Sequence, residues 1–456
     1  MSIIQSLRHI LPPTERYFSA RMNHVEQRLT ELEALCATQL EALDNLTAQN
    51  AMLQNSLRHA LDYANLEYCS LRQQKTILLA GWYGAENFGD ELMMQTVLQS
   101  FPPESRQHLC VLLWDNVSYP RLNIDCSVRV VHYPRTTWEL EQLIDSVEAV
   151  VWGGGAILDD RQFDDNPSNY NTGNLFIRMS LLAIARRKPV YCLGLSTNDT
   201  LSDTGYLSHL QTIINKADVF SIRDRYSLSV LQQSGIDCSR IVMCNDIAFA
   251  STALRSISRT SRQPAGSPAE ELRIGIVCLS TEDLFDHYSR IVNSLLEEPT
   301  PLKIERITLV PFFNEQSADT HYLNRLKSNC ADDERIEVAP YSETLESLAV
   351  FDCDFCICYK YHAALIANSA GIPTLNVYHN AHPHYKNKMK QIADVFSYQA
   401  HLIDSETLEQ NPKELITQAI LDSLLPEKSH APFEETNAWL TSICNEIVSK
   451  TNKSRA

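Results

Sequence analysis

The chain has 456 residues, a formal net charge of -17 and 44% apolar residues. A chain of this length is expected to form roughly two to three domains with sizeable cores. The negative charge is spread along the sequence, which argues against nucleic acid as a partner, because binding phosphates requires a basic face. The 13 scattered cysteines, without a signal-peptide pattern or a membrane-spanning apolar stretch, predict a cytoplasmic protein with reduced thiols.

Residues 1–22 form an N-terminal segment that mixes apolar and basic residues and is interrupted by Pro12 and Pro13. One interpretation is a membrane-surface contact, which would place the protein peripherally at the inner face of the membrane. The other is a frayed terminus or a contact with a partner.

Residues 23–74 predict a coiled coil. Residues 23–71 contain neither glycine nor proline, and mainly apolar residues recur at alternating spacings of four and three, as in a heptad repeat. With Leu29 at heptad position a, Asn50 also falls at a, and such an asparagine favours dimers in a fixed register. The segment therefore predicts a homo-oligomer, and the alternative is an amphipathic helix folded against its own globular body. The a and d positions are occupied by Val25, Leu29, Leu32, Cys36, Gln39, Leu43, Leu46, Asn50, Leu53, Leu57, Ala60, Ala64, Glu67 and Leu71.

Residues 75–255 predict a first α/β domain. A short apolar strand, Thr76–Ala80, precedes a loop with three glycines (residues 81–91) and a helix from about Leu92. Asp90 and Glu91 are expected on the first turn of that helix, where carboxylates also suit the helix dipole. Helical segments separate the later strands, which predicts a parallel sheet. These strand candidates are Leu109–Leu113, Val128–Val131, Ala149–Trp152, Val190–Leu193, Val219–Ile222 and Ile241–Met243.

Polar residues follow several of these strands, which predicts a ligand-binding cleft at the carboxyl edge of the sheet. They comprise Gly153, Gly154, Gly155, Asp159 and Asp160 after one strand, Ser196 to Asn198 after the next, and Arg223 to Arg225, Asn245 and Asp246 after the last two.

Residues 256–271 are rich in Ser, Arg, Pro and Gly and predict a linker. Residues 272–456 predict a second α/β domain that ends in closing helices. Its strand candidates are Arg273–Cys278, Arg306–Val310, Arg335–Val338, Phe351–Cys358 and Thr374–Tyr378, and a helix is expected at Thr344–Ala349. Two such domains suggest a cleft between them.

Lys360 and His362 stand where the strand ending at Cys358 passes into a helix. The amides and dipole of a helix N-terminus favour anions, so a cation and an imidazole added there predict a phosphate or carboxylate site. The alternative is a lysine at the surface and a histidine satisfied by the backbone.

No metal or cofactor is predicted. Cys353, Cys356 and Cys358 lie in an apolar strand without a second cysteine pair, so they are expected to pack as small apolar residues. The cluster His379, His382 and His384 is a metal candidate, but no acidic residue adjoins it before Asp394, and Pro383 predicts a loop there.

From about Lys75 to Asp394 the chain resembles the polysaccharide pyruvyl transferase family. The resemblance rests on four stretches in a fixed order. They are Asn87–Glu91, Gly153–Gly155 with Asp159 and Asp160, Ser221–Asp224 followed by Ser227, Leu231 and Gly235, and Lys360–His362 followed by Ala367, Gly371–Pro373 and Tyr378.

This resemblance implies two facing Rossmann-like domains in a glycosyltransferase-B-like α/β fold, here preceded by the predicted α-helical coiled coil. It also implies transfer of the enolpyruvyl group of phosphoenolpyruvate to a sugar, giving a pyruvate ketal and phosphate. The acceptor would be a polysaccharide sugar or a lipid-linked oligosaccharide. Phosphoenolpyruvate is a co-substrate, so no cofactor is needed.

Residue roles follow from matching this chemistry to the motifs. Candidate catalytic residues are His362 as the acid and Asp90 or Glu91 as the base. The donor would contact Arg223, Lys360, Tyr361, His362, Gly153, Gly154 and Gly155. The acceptor would contact Asn87, Asp160, Asn198, Tyr378 and His379.

Two alternatives remain open at this point. Lys360 stands where the family usually has arginine and lacks its bidentate fork, which motivates a glycosyltransferase that uses a nucleotide sugar. The other alternative is a non-catalytic assembly factor that binds glycan and recruits partners through its coiled coil.

Overall fold

The computed structural model describes most of the chain from residue 76 onward and parts of the preceding segment. The described residues are 21–25, 27–32, 34–36, 38–40, 43, 46, 71, 74, 76–114, 127–161, 163, 172–197, 200–260, 271–297, 303–313, 318–330, 333–342, 344–380, 383–396, 401–423 and 432–453. The described part of residues 1–67 is a unit separate from residues 68–456, and both α/β domains belong to the second unit.

The N-terminal domain is built on a seven-stranded sheet of order β3-β2-β1-β4-β5-β6-β7. Its strands are β1 Thr76–Ala80, β2 Leu109–Leu113, β3 Arg129–His132, β4 Val147–Leu158, β5 Val190–Thr197, β6 Val219–Ile222 and β7 Ile241–Met243. Its helices are α1 Phe88–Ser100, α2 Thr137–Ser146, α3 Thr172–Ala185, α4 Thr204–Lys216, α5 Arg225–Gln233 and α6 Thr252–Thr260.

The C-terminal domain is built on a six-stranded sheet of order β10-β9-β8-β11-β12-β13. Its strands are β8 Leu272–Val277, β9 Ile304–Leu309, β10 Ile336–Val338, β11 Phe355–Cys358, β12 Thr374–Tyr378 and β13 Leu402–Asp404. The helices are α7 Phe285–Leu296, α8 Ala318–Asn329, α9 Tyr361–Ser369, α10 Pro383–Phe396, α11 Ser405–Gln410, α12 Pro412–Ser423 and α13 Phe433–Lys453.

Every strand pair in both sheets is parallel, which confirms the predicted pair of parallel α/β domains. Both sheets follow the doubly wound strand order, whose direction reverses between β1 and β4 and between β8 and β11. Ligands bind at the carboxyl ends of strands at such reversals. The loops that follow β1 and β11 are therefore placed where a site is expected.

The prediction that Gly153–Gly155 follow a strand as a loop was wrong. These glycines lie inside β4, where Gly153 and Gly155 pair with Leu193 and Leu195 of β5. Glycine is unfavourable in a strand interior unless another group approaches closely. That condition is met here, because Tyr83 and Met93 fill the space that side chains would need at Gly153 and Gly154.

Two further segments differ from their predictions. Helix α6 extends to Thr260 and so covers the first part of the predicted linker 256–271, because Leu254 is buried and Ile257 packs on the core. The predicted helix Thr344–Ala349 was wrong as well. Side-chain hydrogen bonds between Thr344 and Ser347 hold bends and turns there, as hydroxyl groups do when they compete with helical bonding.

Strand β11 is shorter than predicted, and Pro383 starts a helix. A 3₁₀ turn, Ala349–Asp352, occupies the beginning of the predicted strand Phe351–Cys358. Pro383 begins α10 and not a loop, since proline has no N–H to lose at the first helical position. The three-residue strand β13 was not predicted.

The two α/β domains share a continuous apolar core. Phe88 of the first domain packs edge-on against Phe312 of the second, with ring centroids 5.4 Å apart. The final helix, α13, returns to the N-terminal domain, where Phe433 packs against Phe249. From the sequence, this helix is predicted to close the C-terminal domain. Residues 87–88 also pair with residues 312–313 through their backbones.

The described residues between 21 and 46 are helical, as predicted for the start of the coiled-coil segment. Their large apolar side chains are exposed. The pairing of this helix with a second helix in a coiled coil remains a prediction. Among the described residues, no helix is both long enough and apolar enough to cross a membrane.

Candidate active site

Helix α9 begins directly after β11, as predicted. Lys360 is its N-cap residue in an extended conformation, and Tyr361 and His362 form its first turn. Strand β11 pairs with β8 and β12, so this junction lies at the reversal of strand order in the second sheet.

A buried ion pair from the N-terminal domain lies opposite this turn. Arg223 follows β6 and Asp246 follows β7, and their Nη1 and Oδ2 atoms are 2.7 Å apart. Only 5% of Arg223 and 1% of Asp246 is exposed. Burial alone would raise the pKa of Asp246, but Arg223 and His362 outweigh it and hold this pKa well below its usual range. The carboxylate is therefore ionised at neutral pH.

Side chains of the C-terminal domain cover the pair. The Tyr361 ring lies 4.7 Å from the Arg223 guanidinium carbon, a cation–π contact. His362 Nε2 is 3.7 Å from Asp246 Oδ2. Gln391 Nε2 donates a 2.7 Å hydrogen bond to the Arg223 carbonyl oxygen. The pair is thus a polar centre around which the two domains meet.

Two nitrogen atoms in this centre lack a hydrogen-bond partner. Arg223 Nε and His362 Nε2 are buried, and neither has a hydrogen-bond partner in the described part of the chain. Buried polar groups are normally hydrogen-bonded, and exceptions often mark a place where a ligand or ion binds. Both unpaired atoms come from residues that the sequence analysis assigned to donor binding.

Gly89 makes room for His362. A Cβ atom added at Gly89 would stand 1.9 Å from His362 Nδ1, a distance that no real side chain could adopt. The first turn of α1 therefore lies directly against the imidazole across the domain interface. This contact explains the glycine between Phe88 and Asp90 by packing.

Asp90 belongs to the same centre. Burial raises its pKa to about 6, and the nearby His362 and Arg223 charges limit the rise. Its Oδ1 atom lies against the backbone of Gly155, 3.1 Å from where a Cβ would stand. Asp90 can therefore both hold and release a proton close to neutral pH.

Glu91 points to a different place, although it adjoins Asp90 in sequence. Its Oε1 accepts a 2.7 Å hydrogen bond from the backbone N–H of Gly84, in the glycine loop after β1. Burial raises its pKa to about 8, so the side chain is mainly protonated at neutral pH. Glu91 supports the loop, and its predicted role as a base stays a prediction.

Lys388 on α10 is a cation that the sequence analysis did not select. Burial and the Arg223 charge together lower its pKa from 10.5 to about 8, although Asp224 and Asp90 partly offset the shift. It lies one helical turn before Gln391, which binds Arg223. A signal in the sequence could have identified it. Lys388 interrupts the apolar face of α10, which the buried residues Met389, Ile392 and Phe396 form.

Lys360 is engaged in an ion pair. Its Nζ is 2.6 Å from Asp319 Oδ2, and the same oxygen accepts hydrogen bonds from the N–H groups of Phe312 and Phe313. Because Phe312 and Phe313 pair with the backbone at the start of α1, Lys360 supports the position of Asp90 indirectly. Its predicted contact with the donor stays a prediction.

The residues predicted to contact the acceptor are dispersed. Asn87 bridges to Phe313, and the Asp160 carboxylate accepts hydrogen bonds from the backbone of Ser202 and Asp203. Tyr378 ends β12 under the Lys386 ammonium, and the His379 ring lies 6.4 Å from that of His287. Asn198 lies outside the described residues, so its predicted role has no structural account.

The described residues include no cluster of three or more histidine, cysteine or acidic side chains suited to a metal ion. Cys353, Cys356 and Cys358 are buried in and beside β11. Of the histidine cluster, His382 lies outside the described residues.

Comparison with known families finds one that spans most of the two α/β domains. The sequence model of the family described as polysaccharide pyruvyl transferase matches residues 87–381. The match includes Asp90, Arg223, Asp246, Lys360 and His362. No curated protein sequence matches the chain significantly.

Solved structures of low sequence identity share the fold. The structure of Staphylococcus aureus MnaA with UDP matches with a TM-score of 0.52 and 14% identity, covering 83% of this chain and 97% of that one. The UDP-GlcNAc 2-epimerase of Methanocaldococcus jannaschii matches with a TM-score of 0.50 and 11% identity, covering 82% and 99%. A putative UDP-N-acetylglucosamine 2-epimerase of Listeria monocytogenes gives 0.51 and 10%, covering 83% and 97%. At these identities, the similarity describes the fold alone.

Asp246→Asn is expected to lower the free energy of unfolding by about 3–5 kcal/mol, because it removes the closest counter-charge of the buried Arg223 guanidinium and leaves the Asp224 carboxylate, 4.0 Å from Nε. Urea denaturation measures this change. The matched control is Lys450→Met, which breaks the half-exposed 2.8 Å pair with Asp218 and should cost about 0–1 kcal/mol. A loss below about 1 kcal/mol for Asp246→Asn would show that the pair is not central.

Gly89→Ala is expected to destabilise the protein by about 1–3 kcal/mol, because its methyl group overlaps the His362 imidazole. Adding His362→Ala should recover part of this loss, and a double-mutant cycle measures the coupling. The control is Gly205→Ala on the first turn of α4, which should change stability by less than about 1 kcal/mol. Additive effects of Gly89→Ala and His362→Ala would contradict the contact.

Glu91 makes stability depend on pH. Its pKa is raised from 4.5 to about 8 in the folded state, so its stabilising contribution is complete below pH 4.5 and is lost as pH rises through about 8. Glu91→Gln keeps the acceptor for Gly84 and cannot ionise. The difference in the free energy of unfolding, variant minus wild type, should therefore grow between these pH values in urea titrations. A difference that stays constant would show that Glu91 is already ionised in the folded protein.

Proposed function

Because this chain belongs to the polysaccharide pyruvyl transferase family, we propose that it transfers the pyruvyl group of phosphoenolpyruvate to a sugar of a cell-surface polysaccharide or its lipid-linked precursor. The product would be a pyruvate ketal. The observation that carries the proposal is the convergence of Arg223, Lys388, His362 and Asp90 at the meeting point of the two domains.

The charges of this centre suit the donor. Phosphoenolpyruvate presents a phosphate and a carboxylate, and both need cationic or N–H partners. Arg223 has a buried Nε without a hydrogen-bond partner in the described chain, and Lys388 adds a second cation. In a site with little water, such preorganised donors stabilise a leaving phosphate without a requirement for a metal. The Arg223 guanidinium is fixed by Asp246 and Tyr361, so little entropy is lost on binding.

The reaction needs one proton added and two removed. Protonation of the methylene carbon turns it into a methyl group and develops positive charge on the adjacent carbon. One sugar hydroxyl attacks that carbon and loses its proton. A second hydroxyl of the sugar then replaces the phosphate, which leaves with the remaining proton equivalent. The sum is one ketal and one phosphate for each phosphoenolpyruvate.

We assign the proton transfers to His362 and Asp90. His362 would deliver the proton to the methylene carbon, since its buried Nε2 has no hydrogen-bond partner in the described residues. Asp90, with a pKa raised to about 6, would accept the proton of the attacking hydroxyl. We favour Asp90 over Glu91 because Glu91 is held by Gly84 and is mainly protonated at neutral pH.

A second candidate is transfer from a nucleotide sugar. It is motivated by Lys360 at the position of the family arginine, and by the fold shared with a structure that contains UDP. The Lys360 ammonium is paired with Asp319, so its difference from arginine bears less directly on the donor. We therefore rank phosphoenolpyruvate first.

Phosphoenolpyruvate is expected to raise the thermal unfolding midpoint saturably. A ligand that binds only the native state adds about 2.7 kcal/mol of stability at a hundredfold excess over its Kd. Lys388→Met removes the cation and keeps the stem, so it should weaken this binding about tenfold or more. Lys390→Met, on the exposed side of the same helix, is the matched control. Lys360→Met tests the donor contact predicted from the sequence.

Each outcome of this titration assigns the donor. A shift with UDP or a UDP-sugar and none with phosphoenolpyruvate would replace the proposal by the nucleotide-sugar reaction. Protection by neither, with no phosphate released in the presence of glycan acceptors, would leave the non-catalytic assembly factor. Equal weakening by Lys388→Met and Lys390→Met would remove Lys388 from the donor site.

A further inference from the structure

The N-terminal helix carries a row of exposed, large apolar side chains. Eight are between 48% and 62% exposed: Met22, Val25, Leu29, Leu32, Leu35, Leu40, Leu43 and Leu46. Exposed apolar residues scattered singly need no explanation, but a contiguous stripe of this length on a soluble helix indicates an interaction surface.

Heptad positions account for all eight residues. With Leu29 at position a, six of the eight fall at a or d. The remaining two, Leu35 and Leu40, fall at g and e and are five residues apart. In a parallel two-stranded coiled coil, a residue at g faces the residue five positions later, at e, on the other helix. Leu35 of one helix would therefore contact Leu40 of an identical helix in the same register.

Charged residues on the same edges follow the same rule. Arg21 and Arg28 fall at g, and Glu26 and Glu33 fall five residues later, at e. A parallel, in-register pair of identical helices would thus place each arginine opposite a glutamate, twice over by symmetry. In an antiparallel pair, g faces g, and no g position between residues 21 and 70 is acidic. The charge pattern therefore selects the parallel arrangement.

We infer that residues 21–46 form a parallel, in-register, two-stranded coiled coil with the same residues of a second copy of this chain. The pairing is homotypic because one sequence supplies both complementary edges. The inference is independent of the proposed reaction, since it rests on no residue of the α/β domains.

Cys36 provides a direct test of orientation and register. It falls at position a and is exposed and unpaired by a disulfide in the single chain. In the inferred dimer it faces Cys36 of the second copy, and a disulfide forms only when the two Cα atoms come within about 7 Å. Mild oxidation of the full-length protein should give a covalent dimer on a non-reducing gel, and Cys36→Ser should abolish it. A full-length protein that stays monomeric or trimeric by light scattering would overturn the inference.

A charge exchange tests the edges independently. The double variant Arg21→Glu, Arg28→Glu places like charges in all four facing pairs of the dimer. The double variant Glu26→Arg, Glu33→Arg does the same with the opposite sign. Each alone should raise the dimer dissociation constant about tenfold or more, by analytical ultracentrifugation at low salt. An equimolar mixture should form heterodimers close to wild-type affinity, because every facing pair is then attractive.

The same variants can contradict the proposal without ambiguity about folding. If each charge variant dimerises as tightly as the wild type, or if the mixture fails to associate, the parallel pairing is wrong. If the wild-type protein is a dimer but oxidation gives no covalent dimer linked through Cys36, the helices are antiparallel or in a shifted register. Circular dichroism and the thermal midpoint of the α/β domains serve as the control for intact folding.

Discussion

The candidate active site depends on one buried ion pair, Arg223 with Asp246. Its desolvation is costly, and additional contacts to both ions offset part of that cost. Asp246 also caps the 3₁₀ helix Ile247–Ala250, and Arg223 is covered by Tyr361 from the other domain. Both members of the pair belong to the N-terminal domain, and the C-terminal domain covers them with Tyr361, His362 and Gln391. The packing of the two domains therefore fixes the guanidinium and His362 beside each other.

Glycine allows close packing in this centre. The absence of a side chain at Gly89 leaves room for the His362 imidazole. Gly153 and Gly154 leave room in the same way for the side chains of Tyr83 and Met93. Gly155, with φ of 106°, adopts a conformation that other residues rarely reach and lies against Asp90. The motif that carries the family resemblance is therefore partly a set of contacts that place one carboxylate and one imidazole.

The sequence predicts local features well here and long-range charge pairing poorly. Strand and helix periodicity identified the two parallel domains, and the family motifs pointed to Arg223 and His362. From the sequence, Asp246 is recognisable only as a polar residue after a strand, because its partner Arg223 follows a different strand. The ion pair of Lys360 with Asp319 was not predicted, since nothing in the local sequence shows that Asp319 binds this lysine. Lys388 was missed because an isolated lysine on an amphipathic helix resembles a surface residue until the opposite domain is in place.

The adjacent carboxyls Asp90 and Glu91 show how the fold divides one acidic motif into two functions. Successive residues on a helix point about 100° apart, so the two side chains leave α1 in different directions. His362, Arg223 and Lys388 lie near Asp90 and limit its pKa to about 6, whereas Glu91 interacts with the backbone of Gly84 and Glu86 and its pKa rises to about 8. Burial raises both pKa values, and the neighbouring charges differ: His362, Arg223 and Lys388 lower the pKa of Asp90, whereas Asp90 and Glu86 raise that of Glu91. A carboxyl that exchanges protons near neutrality is suited to catalysis, and its protonated neighbour is suited to holding the loop that completes the site.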